Sequence, residues 1–151
     1  MSRSGLGEQW QRVFDDTEAT AAAYRDRGWD AIALHPGDVN PVSDAARLHV
    51  LLPGAEFDEA NGLLDGVTVD SVQVYAASGE TASYRLVVAE CTATELAVCI
   101  PTFVRNADRE AIETAATDAG ELVVRLRPLD DRDHVDVAVD DPELFFAAPS
   151  E

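Results

Sequence analysis

Near the start of the chain, apolar residues recur at spacings of three and four, the period of a helix with one buried face. Arg25 and Arg27 lie in its last turn, where positive charge is favourable, and Gly28 supplies a C-terminal stop. We therefore predict an amphipathic helix over 6–27. Its apolar stripe comprises Leu6, Trp10, Val13, Phe14, Thr17, Ala21 and Tyr24.

From residue 67 onward the apolar positions alternate, with the period of two that is typical of a β-strand with one buried face. Turn signals such as Pro53-Gly54 separate shorter apolar runs on either side of this region. The stretch 35–46 is predicted to be the longest irregular loop. We predict strands over 31–34, 47–52, 67–75, 84–91, 95–104, 121–128 and 134–139, and further helices over 56–64, 106–119 and 142–146.

This order of elements predicts an α+β fold. We expect a mostly antiparallel sheet of five to seven strands, with the N-terminal amphipathic helix and a second helix packed on it. The second helix is the alanine-rich segment 106–119, whose small side chains allow its axis to approach a sheet closely. The chain of 151 residues has no internal repeat and no shift in composition, so residues 1–151 are expected to form one domain.

The composition points to the solvent in which the protein works. No residue is lysine, and the eleven arginines face 29 Asp and Glu, so the net charge is −18. Such a charge repels itself in dilute buffer, whereas at about 1 M salt the Debye length falls to about 3 Å. We therefore expect a halophilic protein with molar monovalent salt as its solvent. A dedicated cation store or a DNA mimic is the alternative explanation of the acidic surface.

The charge and the termini also bear on partners and location. A net charge of −18 repels phosphate backbones, so we expect no nucleic acid partner. No run approaches about 18 apolar residues, and no apolar leader follows Met1, so we expect a cytoplasmic protein that binds no membrane.

The two cysteines, Cys91 and Cys99, have neither a zinc-binding nor a redox spacing and are expected to be reduced and structural. If residues 92–94 connect their strands, Cys91 lies opposite Glu95 and Cys99 opposite Val87. This register predicts that the two sulfurs are too far apart for a disulfide.

Motifs for catalysis are missing from the sequence. There is no Gly-x-Ser-x-Gly elbow, and without lysine there is no phosphate-binding loop of the Gly-Lys-Ser/Thr type. The favoured hypothesis is a non-enzymatic module that binds a ligand or a protein, and no motif indicates a cofactor. The rival hypothesis is a small metal-dependent enzyme or a metal-binding protein that uses the 35–49 loop.

The metal hypothesis depends on three residues of that loop. His35, Asp38 and His49 supply two imidazoles and one carboxylate, the composition of a facial metal triad. If the loop folds back, these side chains meet. The alternative is that they occupy a turn and a strand position that faces solvent.

Four arginines are predicted to form a ligand site. Arg125 and Arg127 share one face of the predicted strand 121–128, and Arg85 and Arg105 lie on neighbouring strands. On a common sheet face they form a positive patch suited to a carboxylate or a phosphate. The alternative is that they form salt bridges with Glu90, Glu95 and Glu121.

The C-terminal segment is apolar and carries a helix start, with Asp141 as the N-cap and Pro142 at the first helical position. Because large aliphatic residues are scarce in this chain, we expect the segment to pack and not to dangle. It is predicted to fill its own core or a partner's groove, and the second case is a homodimer through Leu144, Phe145 and Phe146.

Two motifs and the absence of lysine carry a resemblance to a known group of proteins. The motifs are Leu34-His35-Pro36-Gly37-Asp38-Val39 and Pro142-Glu143-Leu144-Phe145-Phe146. In these features the chain resembles an uncharacterised family of short, acidic haloarchaeal proteins, over most of its length. The resemblance implies a halophilic, cytoplasmic origin and implies no activity and no site.

Overall fold

The computed structural model describes residues 5–78, 81–130 and 133–146. These residues form an α+β structure with four α-helices and two four-stranded mixed sheets. The helices are α1 (Gly5–Asp26), α2 (Gly54–Leu64), α3 (Asn106–Ala119) and α4 (Pro142–Phe146). The strands are β1 (Asp30–Ala33), β2 (Asp38–Val42), β3 (Arg47–Leu52), β4 (Ser71–Ser78), β5 (Ala82–Cys91), β6 (Leu96–Arg105), β7 (Leu122–Pro128) and β8 (Val135–Val139).

The first sheet has the order β1-β6-β5-β4. The strands β4, β5 and β6 form the antiparallel meander expected from the sequence, and β1 joins β6 as a parallel strand. One face of this sheet is covered by α1, which contacts β1, β5 and β6. Ala21 and Tyr24 of the helix are buried there with Leu86 and Cys99 of the strands.

The second sheet has the order β2-β3-β7-β8, and its two central strands, β3 and β7, are parallel. Burial alternates along β3 and β7, so one face of each strand is in the core and the other is partly exposed. The core joins residues from both sheets with Phe57 of α2, Ile112 of α3 and Phe145 of α4. The two sheets therefore share one hydrophobic core.

The prediction of one mostly antiparallel sheet of five to seven strands is wrong in detail. The strands divide into two sheets, and each sheet contains one parallel pair. Alternation shows that a strand has a buried face but does not show which strand lies beside it.

The predicted loop 35–46 contains a strand that the sequence pattern did not predict. Strand β2 includes Pro41, which cannot donate a backbone hydrogen bond, and the polar Asn40. Because β2 is an edge strand of its sheet, Pro41 is tolerated there. Because Pro41 and Asn40 do not fit the pattern of a central strand, the sequence did not indicate a strand here.

The predicted helices over 6–27 and 106–119 are confirmed to within one residue at each end, as α1 and α3. Gly120 ends α3 in the left-handed conformation, at φ 81°, and its amide donates to the carbonyl of Ala116 at 2.8 Å. The side chain of Leu6 lies outside the described part of the chain. Within that part, no helix combines the length and the apolar character needed to cross a membrane.

The two cysteines are buried and neither forms a disulfide, as predicted. Their predicted register is wrong by one residue, because Cys91 lies opposite Leu96 and Cys99 opposite Val88. The connection spans residues 92–95, and Glu95 takes a left-handed conformation at φ 54°. The two thiols belong to separate core clusters on the first sheet, and burial raises the pKa of Cys99 to about 12.

Candidate functional site

The outward face of the second sheet carries a group of basic side chains. Core positions alternate with partly exposed ones along the two central strands. The partly exposed positions are Arg47, His49 and Leu51 in β3 and Val123, Arg125 and Arg127 in β7. The parallel register places His49 beside Arg125 and Leu51 beside Arg127. We call Arg47, His49, Arg125 and Arg127 the basic cluster.

His49 lies at the centre of the basic cluster. Nε of Arg47 is 3.2 Å from Nε2 of its ring, and Nη1 of Arg127 is 3.2 Å from Nδ1. Guanidinium groups only donate hydrogen bonds, and a neutral imidazole accepts at one ring nitrogen only. At one of these two contacts a donor therefore faces a donor, and an acceptor oxygen placed there would receive both.

Arg125 is held by an acid of the neighbouring strand. Its Nε and Nη2 donate to the two carboxylate oxygens of Asp136 in β8, at 2.8 and 3.0 Å. This bidentate bond is the main reason why the pKa of Asp136 is lowered. The guanidinium of Arg125 is thus directed towards β8, whereas those of Arg47 and Arg127 are directed at His49.

The other two predicted arginines lie elsewhere. Arg85 is 1% exposed, and its guanidinium donates to the carbonyls of Phe145 and Tyr84. Arg105 ends β6 and is exposed, with its guanidinium carbon 5.1 Å from the centre of the Phe103 ring. Of the four predicted ligand residues, Arg125 and Arg127 share a site, and Arg85 and Arg105 do not join it.

Arg47 and His49 were not recognised as members of this site from the sequence. Their spacing of two on a predicted strand already placed them on one face. What the sequence did not show is that this strand lies beside β7. His49 and Arg127 are 78 positions apart in the chain, and only the parallel pairing brings them together.

The three residues of the metal hypothesis are not brought together. His35 contacts Glu56 of α2 and Glu18 of α1, while His49 contacts two arginines. The carboxylate of Asp38 accepts from the amide of Val39 and from the side chain of Asn40. Within residues 5–78, 81–130 and 133–146, no group of three or more His, Cys, Asp and Glu side chains is placed to hold a metal ion.

His35 joins two helices through its ring. Nδ1 lies 2.6 Å from Oε2 of Glu56, and Nε2 lies 2.7 Å from Oε2 of Glu18. Carboxylates only accept, so both ring nitrogens must carry hydrogen to make both bonds, and this is the imidazolium form. Burial lowers the pKa of His35, but the hydrogen bonds and charges of Glu56 and Glu18 together outweigh it, so the pKa is raised.

This raised pKa predicts how stability depends on pH. A histidine whose pKa is higher in the folded chain stabilises it fully below the unfolded value of about 6.5, and the stabilisation is lost as pH rises through the folded value. In molar KCl the melting temperature should therefore be higher at pH 6 than at pH 9, as measured by circular dichroism.

Two variants isolate the contribution of His35 from that of the other histidines. His35→Gln should reduce the change between pH 6 and pH 9, because glutamine does not titrate. The part that remains near pH 9 comes from the buried thiols of Cys91 and Cys99, whose pKa values are raised by burial. His134→Gln is the matched control, since residue 134 is exposed, and should leave the change intact. An unaltered pH dependence in His35→Gln would contradict the prediction.

Comparison with known proteins identifies a family but no activity. A family of unknown function, DUF7529, matches residues 2–147 of the chain. No curated protein and no solved structure matches it. The function has to be inferred from the chemistry of the basic cluster.

Proposed function

Because the chain belongs to the DUF7529 family, whose function is unknown, we propose a function from the geometry of its basic cluster. The protein is a non-enzymatic module that binds a small oxyanion, a carboxylate or a phosphate group, through Arg47, His49 and Arg127. The observation that carries this proposal is the imidazole of His49 with a guanidinium at each ring nitrogen.

The charges around His49 favour an oxyanion. Where one guanidinium N–H faces the ring N–H of His49, the two donors repel each other, and a carboxylate or phosphate oxygen that accepts from both removes this repulsion. The contacts are partly buried, where a charge-assisted hydrogen bond is stronger than at an open surface. The whole chain has a net charge of −18, so an anion is attracted by these side chains and repelled by the excess of acidic side chains elsewhere on the protein.

Recognition in high salt requires geometry as well as charge. At about 1 M salt the Debye length is about 3 Å, so chloride screens any diffuse attraction. A carboxylate or a phosphate can accept two parallel hydrogen bonds from one guanidinium, which chloride cannot. The proposal therefore predicts binding that persists in molar KCl.

The test is a calorimetric titration with inorganic phosphate and, separately, with acetate, in 2 M KCl. We expect saturable binding of at least one of them to the wild-type chain. Arg127→Gln should weaken it by roughly 10-fold to 150-fold, because a hydrogen bond to a charged group contributes about 1.5–3 kcal/mol.

The control is Arg12→Gln, which removes an exposed arginine of α1 and the same amount of charge. It should bind as the wild-type chain does. Equal weakening in the two variants would show that net charge alone attracts the anion, and absence of saturable binding to the wild-type chain would refute the proposal.

A further inference from the structure

The two sheets have four edge strands, and three of them are protected against pairing with another chain. The edges are β1, β2, β4 and β8. An acid lies in each of β1, β2 and β8, namely Asp30, Asp38 and Asp136, and β2 also contains Pro41. Charges and prolines are the usual means by which edge strands avoid pairing.

The fourth edge, β4, has no such protection. Ser71–Ser78 contains no charged residue and no proline, although acids make up 29 of the 151 residues of the chain. It is also the longest edge, with 8 residues against 4 in β1, 5 in β2 and 5 in β8. Among the described strands, β5 alone pairs with β4, and helix α4 also contacts β4. No described strand therefore lies along the other edge of β4.

An apolar groove lies next to this edge. It has a volume of about 300 Å³ between α1 and the strands β4 and β5. Tyr75, near the middle of β4, is 52% exposed on its floor. Its polar lining residues are Asp16 and Thr20, and its apolar lining comes from Val13, Ala19, Tyr75, Ala76, Ala77, Tyr84 and Leu86.

We propose that β4 pairs in antiparallel fashion with β4 of a second copy of this chain. The first sheet of one copy and the first sheet of the other, each of four strands, then form one continuous sheet of eight strands in a homodimer. A two-fold axis normal to the sheet relates the copies, so the edge is complementary to itself and the assembly closes. Each copy has a net charge of −18, and an uncharged edge is where two such chains approach with the least repulsion.

The same symmetry places the grooves of the two copies next to each other on one face of the joined sheet. A two-fold axis normal to the sheet keeps both copies of α1 on one face, with the two β4 strands between them. Tyr75 lies directly opposite Leu86 of β5, which is buried with Ala21 and Tyr24 of α1, so Tyr75 and, two positions on, Ala77 face this side. A register centred on Tyr75 pairs residues 72–78 of each copy and places the two Tyr75 rings side by side, which removes both from water.

The first experiment measures mass in solution by light scattering in 2 M KCl. The wild-type chain should have twice the mass of one chain. Tyr75→Glu should be monomeric, because it places two like charges opposite each other at the centre of the paired strands. A circular dichroism spectrum unchanged from the wild type shows that the variant is folded.

The matched control is Leu144→Glu, which tests the homodimer predicted through the C-terminal segment. Leu144 is 45% exposed, whereas Phe145 and Phe146 are buried at 1% and 5%. Leu144→Glu should remain dimeric. A dimer from Tyr75→Glu would overturn the proposal, and so would a wild-type chain that is monomeric in 2 M KCl.

A second experiment tests the register. The native thiols, Cys91 and Cys99, are buried, so Tyr75→Cys adds an accessible thiol. Directly opposed residues of paired strands have Cβ atoms about 4.5–5.5 Å apart, close to disulfide reach. Mild oxidation in 2 M KCl should cross-link Tyr75→Cys and not Leu144→Cys, and the reverse result would overturn pairing through β4.

Discussion

Raising KCl from about 0.1 M to about 2 M is expected to raise the melting temperature steeply, by about 10 °C or more. The 29 acids outnumber the eleven arginines, so the folded chain repels itself at low salt. The ion pairs in its described part include Arg125 with Asp136 and Arg109 with Glu113, which offset a small share of this charge. Thermal melts followed by circular dichroism across a KCl series measure the effect.

Charge-neutralising variants separate screening from other actions of salt. Glu59→Gln and Asp118→Asn replace exposed acids of α2 and α3 without removing core contacts. The double variant should melt higher than the wild-type chain at about 0.1 M KCl and should show a shallower rise with salt. A wild-type melting temperature that stays flat across the series would refute the proposal that the chain is halophilic.

Truncation after Asp140 is expected to unfold the chain or to lower its melting temperature severely, even in 2 M KCl. It removes Phe145 and Phe146, which are 1% and 5% exposed. Loss of one buried phenylalanine side chain costs about 3–5 kcal/mol, and the stability of a typical domain is only about 5–15 kcal/mol.

The truncation also removes two hydrogen-bond acceptors. The carbonyl of Phe145 accepts from buried Arg85, and that of Phe146 accepts from Arg109 at 2.5 Å. Both carbonyls lie at the C-terminal end of α4, where a positive charge is favourable. Without them the guanidinium of Arg85 loses an acceptor in the core, which adds a desolvation cost to the lost packing.

Point variants test this explanation by thermal melting. Phe145→Ala should lower the free energy of unfolding by about 3–5 kcal/mol. Leu144→Ala, at an exposed position, should change the free energy of unfolding by less than about 0.5 kcal/mol. Arg85→Met in the truncated chain should restore part of the loss, because it removes the buried charge. A truncated chain that melts like the full one would contradict the prediction.

Several features could be predicted because they depend on neighbours along the chain. The stripe of α1 recurs at three and four positions, and Val13, Ala21 and Tyr24 are buried as that period requires. The prediction that the C-terminal segment packs is confirmed, since Phe145 and Phe146 lie in the core. Scarcity of large apolar residues made that outcome predictable without knowledge of the fold.

Two other features were not predicted, because the sequence gives little or no signal for them. The left-handed conformation of Glu95 lengthened one connection and shifted the pairing of Cys91 by one residue. Since Glu is not a residue typical of that conformation, the sequence did not signal the change. Strand β2 was missed because Pro41 is compatible with an edge strand only, and edges are known only once a sheet has formed.

The sequence by itself determined which face of each strand is polar, and so placed Arg47 with His49 and Arg125 with Arg127. Only the tertiary structure decided that these two pairs share a site, because that depends on the parallel pairing of β3 with β7. The uncharged character of β4 was likewise visible in the sequence, but its position at an edge was not. The physical reason is the same in both cases: alternation records how a strand is buried, whereas the choice of neighbour depends on packing between residues far apart in the chain.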